Sequence, residues 1–250
     1  MSGHSKWSTI KHKKAAKDAK RGKMFTKLIR EITVAARMGN SGDPNFNPRL
    51  RTAILAAKAA SMPNDNIDRA IKKGLGESDG AIFEDVSYEG YGPGGVAIMV
   101  VALTDNRNRT VADVRNLFQK HGGNLGESGC VGWMFARRGV LALERGGIDE
   151  DRIMEVALEA GAEDVQGEGD AFEVTTSPEA FEPVREALEK LGVRGASGEV
   201  ALVPQNTVPV HGSEAQQLLR LLEALEDHDD IQSVSANADL DEDEVAKLSA

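Results

Sequence analysis

The chain has 250 residues, with 40 acidic and 30 basic side chains, a formal net charge of −10 and a hydrophobic fraction of 40%. That length favours two or three domains over one core, and the near-average composition excludes wholesale disorder. A lone cysteine, Cys130, excludes an internal disulfide and a Cys-pair zinc site. The longest apolar run, 96–103, is far shorter than the roughly 20 residues a membrane-spanning helix needs. With no apolar signal-peptide core at the N-terminus either, no membrane role is indicated.

Charge is segregated along the chain. Residues 1–76 hold 17 Lys/Arg against 5 Asp/Glu, whereas the remainder holds 13 against 35. A polyanion responds to the local field within a Debye length of about 8 Å, so the first part is a candidate polyanion-binding module despite the acidic total. The arm 4–23, HSKWSTIKHKKAAKDAKRGK, carries seven Lys and one Arg against a single acid. Mitochondrial transit peptides are also basic and acid-poor, but they favour Arg where this arm favours Lys. With no apolar stripe, the arm is expected to be mobile or partly helical when free and to order on a partner. A solvated tail is the alternative; Lys13, Lys17, Lys20 and Arg21 on one helical face favour binding. Trp7 either stacks on a base or pins the arm to the body.

Three helices follow in the basic part. Met24, Phe25, Leu28, Ile29, Ile32, Ala35 and Ala36 form a helical stripe ending at Gly39-Asn40. Asn47-Pro48 reads as an N-cap with proline at the first helical position, and Leu50, Ile54 and Ala57 share a face. A third helix from about Asp65 turns Ile67, Ala70 and Ile71 inward and Arg69, Lys72 and Lys73 outward, and stops at Gly74 and Gly76.

Beyond Gly76 strands alternate with helices. The turn 91–95, YGPGG, leads into the apolar strand 96–103, and a helix is expected from Thr110, with Asp113 at capping-box spacing. Residues 131–135 read as a further strand. Within 137–203, a strand at 140–143, a helix from Asp149, a hairpin containing Phe172, Val174 and Thr176, a helix after Ser177-Pro178 and a strand at 200–203 spell βαββαβ, the ferredoxin-like order. A helix capped by Ser213 and a strand near 231–236 then supply what the segment before residue 136 lacks. The expected fold is α+β multidomain: an N-terminal three-helix domain followed by two ferredoxin-like domains, the last inserted in the middle one. The expected boundaries are 1–78 for the basic arm and three-helix domain, 79–136 plus 204–238 for the discontinuous domain, 137–203 for the insert, and 239–250 for a frayed acidic tail.

Nothing in the pattern spells catalysis. His4, His12, His121, His211 and His228 stand in no recognised metal-ligand spacing, and neither a Walker A sequence nor a nucleophile elbow occurs. The chain therefore reads as a non-enzyme with no cofactor. One polar stretch stands out, 104–110, TDNRNRT, where Arg107 and Arg109 either grip phosphate near a helix N-terminus or pair with Asp105 in a local turn.

The strings GHSKWSTIKHKKAAKDAKRGKMFTKLIREI, LRTAILAAKAASMPNDNIDRAIKKG and YEGYGPGGVAIMVVALTDNRNRT closely resemble the YebC/PmpR family over essentially the whole chain, although Cys130 stands where serine is expected. The resemblance implies a helical domain and two α+β domains, and a cytoplasmic DNA-binding transcriptional regulator. The alternative it implies is a translational activator that binds ribosomal RNA and the ribosome. On the DNA reading the acidic domains avoid nucleic acid and face a protein partner or keep the chain soluble; on the ribosome reading they meet basic ribosomal proteins. Carried over residue by residue, the family's basic positions are Lys6, Lys11, Lys13, Lys14, Lys17, Lys20, Arg21, Lys23, Lys27 and Arg30; the residue pattern adds Arg69, Lys72, Lys73, Arg107 and Arg109. Phosphate contacts are expected to dominate, with modest sequence specificity.

Overall fold

The computed structural model describes residues 18–76, 83–144, 147–168, 171–193 and 197–240. The basic part contains α1 (Asp18–Met38), α2 (Pro48–Ala59) and α3 (Asn64–Leu75). Ile32, Ala35 and Ala36 of α1 meet Leu50, Ile54 and Ala57 of α2 and Ile67 and Ala70 of α3 in one small core. Helix α1 begins six residues before its apolar stripe. Once the packed segment has nucleated a helix, each further turn needs only its own backbone bonds. Asn47 caps α2 as its position suggests, accepting from the Leu50 N–H, with Pro48 in the first turn.

Gly74 is not the terminator the sequence suggested. It lies inside α3, where a Cβ would sit 2.4 Å from the Thr33 carbonyl oxygen of α1, and the helix ends at Gly76 in an extended conformation. Close approach of the two helices therefore depends on a residue without a side chain. Gly74→Val should lower stability by about 1–3 kcal/mol through overpacking against backbone that cannot yield. Urea denaturation followed by far-UV circular dichroism checks this, and an unchanged midpoint would contradict it.

The first sheet has the order β3-β1-β2-β9, all neighbours antiparallel, from β1 (Glu84–Tyr91), β2 (Ala97–Thr104), β3 (Asn124–Leu125) and β9 (Ile231–Ala236). Helices α4 (Arg107–Lys120) and α7 (Gly212–Glu226) cover one face, burying Val114, Phe118, Leu218, Leu221, Leu222 and Leu225 against Ile98 and Val100. The sequence pattern missed β1, whose segment EDVSYEGY is polar and glycine-containing; its ladders to β2 and β3 hold it in place. The sheet has the spatial order of a ferredoxin-like sheet, but β1 precedes β2 in the chain and occupies the place of the third strand.

The second sheet, β5-β6-β4-β7, joins β4 (Phe135–Glu144), β5 (Ala162–Glu168), β6 (Ala171–Thr176) and β7 (Ser197–Pro204), with α5 (Glu150–Glu159) and α6 (Phe181–Leu191). This is the βαββαβ order read from the sequence, set between β3 and α7 of the first unit. The fold is thus α+β, with a helical region followed by two antiparallel sheets, the second inserted in the chain of the first. A shared cluster of Ala97, Met99, Val131 and Phe135 joins the two sheets.

Three local expectations need correction. Residues 131–135 are not a strand: a single 3-10 turn covers Gly132–Met134, and β4 starts at Phe135. The N–H groups of Val131 and Gly132 donate to the Glu89 carboxylate and so are not available to a ladder. Helix α7 starts at Gly212, with His211 as its N-cap instead of Ser213. The acidic tail does not begin at residue 239, because Ala238–Leu240 forms β10, paired in parallel with β8 (Val208–Val210), and Ala238 and Leu240 are buried. Residues 241–250 lie outside the described residues.

Candidate nucleic-acid interface

Lys23, Lys27 and Arg30 recur at helical spacing on one side of α1 and meet the C-terminal turn of α7 and the loop after it. Lys27 Nζ donates to the Glu226 carbonyl at 2.5 Å, and Lys23 Nζ to the Asp227 carbonyl at 3.4 Å. Arg30 Nη1 donates to the Asp230 carboxylate at 2.9 Å and to the carbonyls of Asp229 and Leu103, and its guanidinium lies 5.1 Å from the centre of the Phe83 ring. The last carbonyls of a helix carry partial negative charge, so these cations complement α7 as a bound anion would complement them.

Asp230 is the centre of this contact, with a side chain only 5% exposed. Besides Arg30 it accepts from Arg109 Nη2 and the Thr110 hydroxyl, both at 2.8 Å. Burial alone would push the Asp230 carboxyl up, but the bonds from Arg109, Thr110 and Arg30 outweigh it and hold the pKa down at about 2. Arg109, tied to Asp230 and then to Asp105, is held in its charged form. His228 packs alongside: its Nδ1 accepts from the Asp230 N–H at 3.1 Å, so Nε2 carries the ring proton toward Asp113, 3.3 Å away. A mixed-charge cleft of about 590 Å³ runs along this contact, lined by Lys23, Arg30, Phe83, Asp105, Arg109 and His228 among others.

Residues 104–110 therefore have a different architecture from the one expected. The helix starts at Arg107, capped by Asn106, whose side chain accepts from the Arg109 N–H. Thr110 is fully buried and does not serve as a cap. Arg109 pairs with Asp105 as the local-turn alternative has it, while its bond to Asp230 across the first sheet was not legible. Arg107 stays exposed, 3.6 Å from Glu84.

A second tie crosses the same boundary. Arg49 of α2 makes paired bonds to Glu31 of α1, at 2.6 and 3.0 Å, and to Asp85 of β1, at 2.7 and 2.9 Å. These two carboxylates hold its guanidinium in the charged form.

The outward cations are different in kind. Arg69 is exposed and, among the described residues, bonded within its own helix, to the Asp65 carbonyl and Asn66, and Lys72 and Lys73 are exposed in the last turn of α3. Arg51 and Lys58, on the solvent side of α2, join them; the sequence reading passed over both. Their spacing of seven, on the flank of the stripe Leu50, Ile54 and Ala57, is the signal. Lys20 and Arg21 fall in the opening turns of α1, and Lys6, Lys11, Lys13, Lys14, Lys17 and Trp7 lie outside the described residues.

A glycine-rich loop after β3 imitates a phosphate cradle, with the N–H groups of Gly129, Val131 and Gly132 converging on one point. That point is already filled by the Glu89 carboxylate, at 2.7 to 2.8 Å. Among the described residues no group of His, Cys, Asp and Glu could hold a metal ion. No described helix is long and apolar enough to cross a membrane.

A cationic helical unit tied by ion pairs to the first of two antiparallel sheets defines a multidomain α+β protein with its charge parted between units. Residues 5–77 match the model of the TACO1/YebC protein N-terminal domain, and residues 83–238 that of the TACO1/YebC second and third domain; the chain belongs to this family. It is 57% identical over 247 residues to a probable transcriptional regulatory protein of Desulfatibacillum aliphaticivorans, covering 99% of this chain and all of the relative. The identity is also 57%, over 248 residues with the same coverage, to the protein of that name in Geobacter sulfurreducens. The crystal structure of a conserved hypothetical protein, Aq1575 from Aquifex aeolicus, superimposes with a TM-score of 0.79 at 53% identity, covering 90% of this chain and 93% of that one.

Proposed function

We propose that the chain is a non-enzymatic, cytoplasmic, nucleic-acid-binding regulator of gene expression, that its ligand is DNA, and that its basic helical region provides the contact. The observation that carries this is the exposed set Arg51, Lys58, Arg69, Lys72 and Lys73, left outward by a fold that pairs the inner cations of α1 with its own acidic turn. The regulator names of its relatives support the same reading. With few fixed polar side chains among these cations, phosphate contacts dominate and sequence discrimination is modest.

If about five phosphates are neutralised, log K falls against log salt with a slope near −4.5. Replacing Arg69, Lys72 and Lys73 together with alanine should reduce that slope by about 2.7 and weaken every DNA sequence alike. Fluorescence anisotropy across a salt series measures both. An unchanged slope removes α3 from the interface, and a wild-type slope near zero removes the function.

A second reading, a translation factor on the ribosome, draws on the excess of 35 acidic over 13 basic residues after Gly76. A duplex binder has no use for that field, whereas basic ribosomal proteins complement it. Co-sedimentation with ribosomes beside a gel shift at matched salt separates the two, and ribosome binding with negligible DNA binding overturns the first.

A further inference from the structure

The loop from Gly39 to Asn47 is held by a set of internal hydrogen bonds, yet it leaves an aromatic ring in water. Asn47, 4% exposed, donates from Nδ2 to the carbonyls of Ala35 and Ser41 and accepts from the Leu50 N–H. Asp43 Oδ1 accepts from both the backbone N–H and the side-chain amide of Asn45. The Phe46 N–H closes a turn on the Asp43 carbonyl, and Arg51 reaches across to the Pro44 carbonyl at 3.3 Å. Gly42 packs so closely on Ile71 and Leu75 of α3 that a Cβ there would meet both within 2.9 Å.

Phe46, at this turn, is 81% exposed. The other six phenylalanines of the chain are buried or half-buried, so this exposure is not a shortage of core to fill. An exposed ring gains nothing from folding, since it is hydrated in the unfolded chain as well, but the bonded backbone of its loop fixes where on the surface it is offered. A cation stands on the same loop: Arg51 is bonded to the Pro44 carbonyl, two residues before Phe46. Asp43 is the one acid in the loop, and both its oxygen contacts are internal.

A pre-positioned aromatic face beside a cation is the arrangement that binds a strand with unstacked bases, the ring stacking on a base while the cation meets a flanking phosphate. We infer that Phe46 is a base-stacking residue and that the helical region binds nucleic acid through unpaired bases. The inference rests on the nucleic-acid reading above and narrows it to strands that offer a free base.

The test compares three probes at one salt concentration by anisotropy: oligothymidylate, oligouridylate and a DNA duplex of equal length. Phe46→Ala should weaken binding of the single strands by about fivefold to a hundredfold and leave the duplex nearly unchanged. Phe46→Leu, which keeps apolar area but has no π face, should behave like Phe46→Ala, whereas Phe46→Trp should retain affinity and add fluorescence quenching when a single strand binds. The stronger of the two single-strand arms identifies the sugar preferred. Wild-type affinity in Phe46→Ala, restored affinity in Phe46→Leu, or an equal loss on the duplex would each overturn the inference. Lys72→Ala/Lys73→Ala reads the parent proposal separately: if it weakens all probes while Phe46→Ala weakens none, the cationic surface stands and the stacking residue falls. Failure of the wild type to bind any probe overturns both.

Discussion

Asp230→Ala should lower stability by about 3 kcal/mol, measured as a fall in the urea midpoint at neutral pH. The carboxylate is the common acceptor for Arg30 and Arg109, which come from opposite sides of the contact between α1 and the first sheet, and for the buried Thr110 hydroxyl. Removing it leaves the partly buried Arg30 without its counter-charge and Thr110 without that acceptor. The loss should also loosen the helical region from the sheet, so limited proteolysis should cut earlier between α3 and β1 than in the wild type.

The same residue sets an acid dependence whose sign follows from its lowered pKa. A carboxyl depressed in the folded state stabilises above its ordinary value, and that contribution fades as pH falls through the folded value. For Asp230 the window runs from 3.8 down to about 2. The stability gap between wild type and Asp230→Asn should therefore be full at neutral pH and shrink across that window. A gap that persists unchanged below it would show that the carboxylate's charge is not what Arg30 and Arg109 respond to.

Glu89→Ala should cost as much or more, because the Glu89 carboxylate, 7% exposed, serves three N–H groups of the loop that leads into β4. Each buried donor left unsatisfied costs about 1–3 kcal/mol, and water entering the loop recovers part of that. Glu89→Gln should rescue little, since its amide nitrogen would face at least one N–H instead of accepting from it. Two probes report on the loop directly. Trp133 Nε1 donates to the Cys130 carbonyl, as does the Tyr91 hydroxyl, so release of the loop should shift Trp133 emission. Burial pushes the Cys130 thiol up, and the Glu89 carboxylate pushes it further. Alkylation of Cys130 should therefore be faster in Glu89→Ala, and an unchanged rate with an unchanged midpoint would contradict the role given to Glu89.

Patterns set by neighbouring residues were legible before any coordinates. The α2 cap at Asn47-Pro48, the stripes of α1 and α3 and the βαββαβ run of the second sheet each depend on a few residues within one element. The boundaries that failed depend on a remote partner. Residues 131–134 form a turn because Glu89, some forty residues earlier, captures their amides, and Thr110 is buried because Asp230 lies above it. The candidate site divides in the same way. Arg69, Lys72 and Lys73 face outward as their helical phase requires, while Lys23, Lys27, Arg30 and Arg109 share the same sequence character and are bonded to the end of α7 and the turn after it.

What the amino-acid sequence determined by itself is the parting of charge at Gly76, the α+β class and the family, since each follows from composition, periodicity or long local strings. What only the tertiary structure decided is which cations remain available and which aromatic ring stays outside. Helical phase tells a lysine which side of its own helix it lies on, but not whether that side will meet water or the carbonyls at the end of another helix two hundred residues away. The first is a property of one element, the second of how elements close on each other.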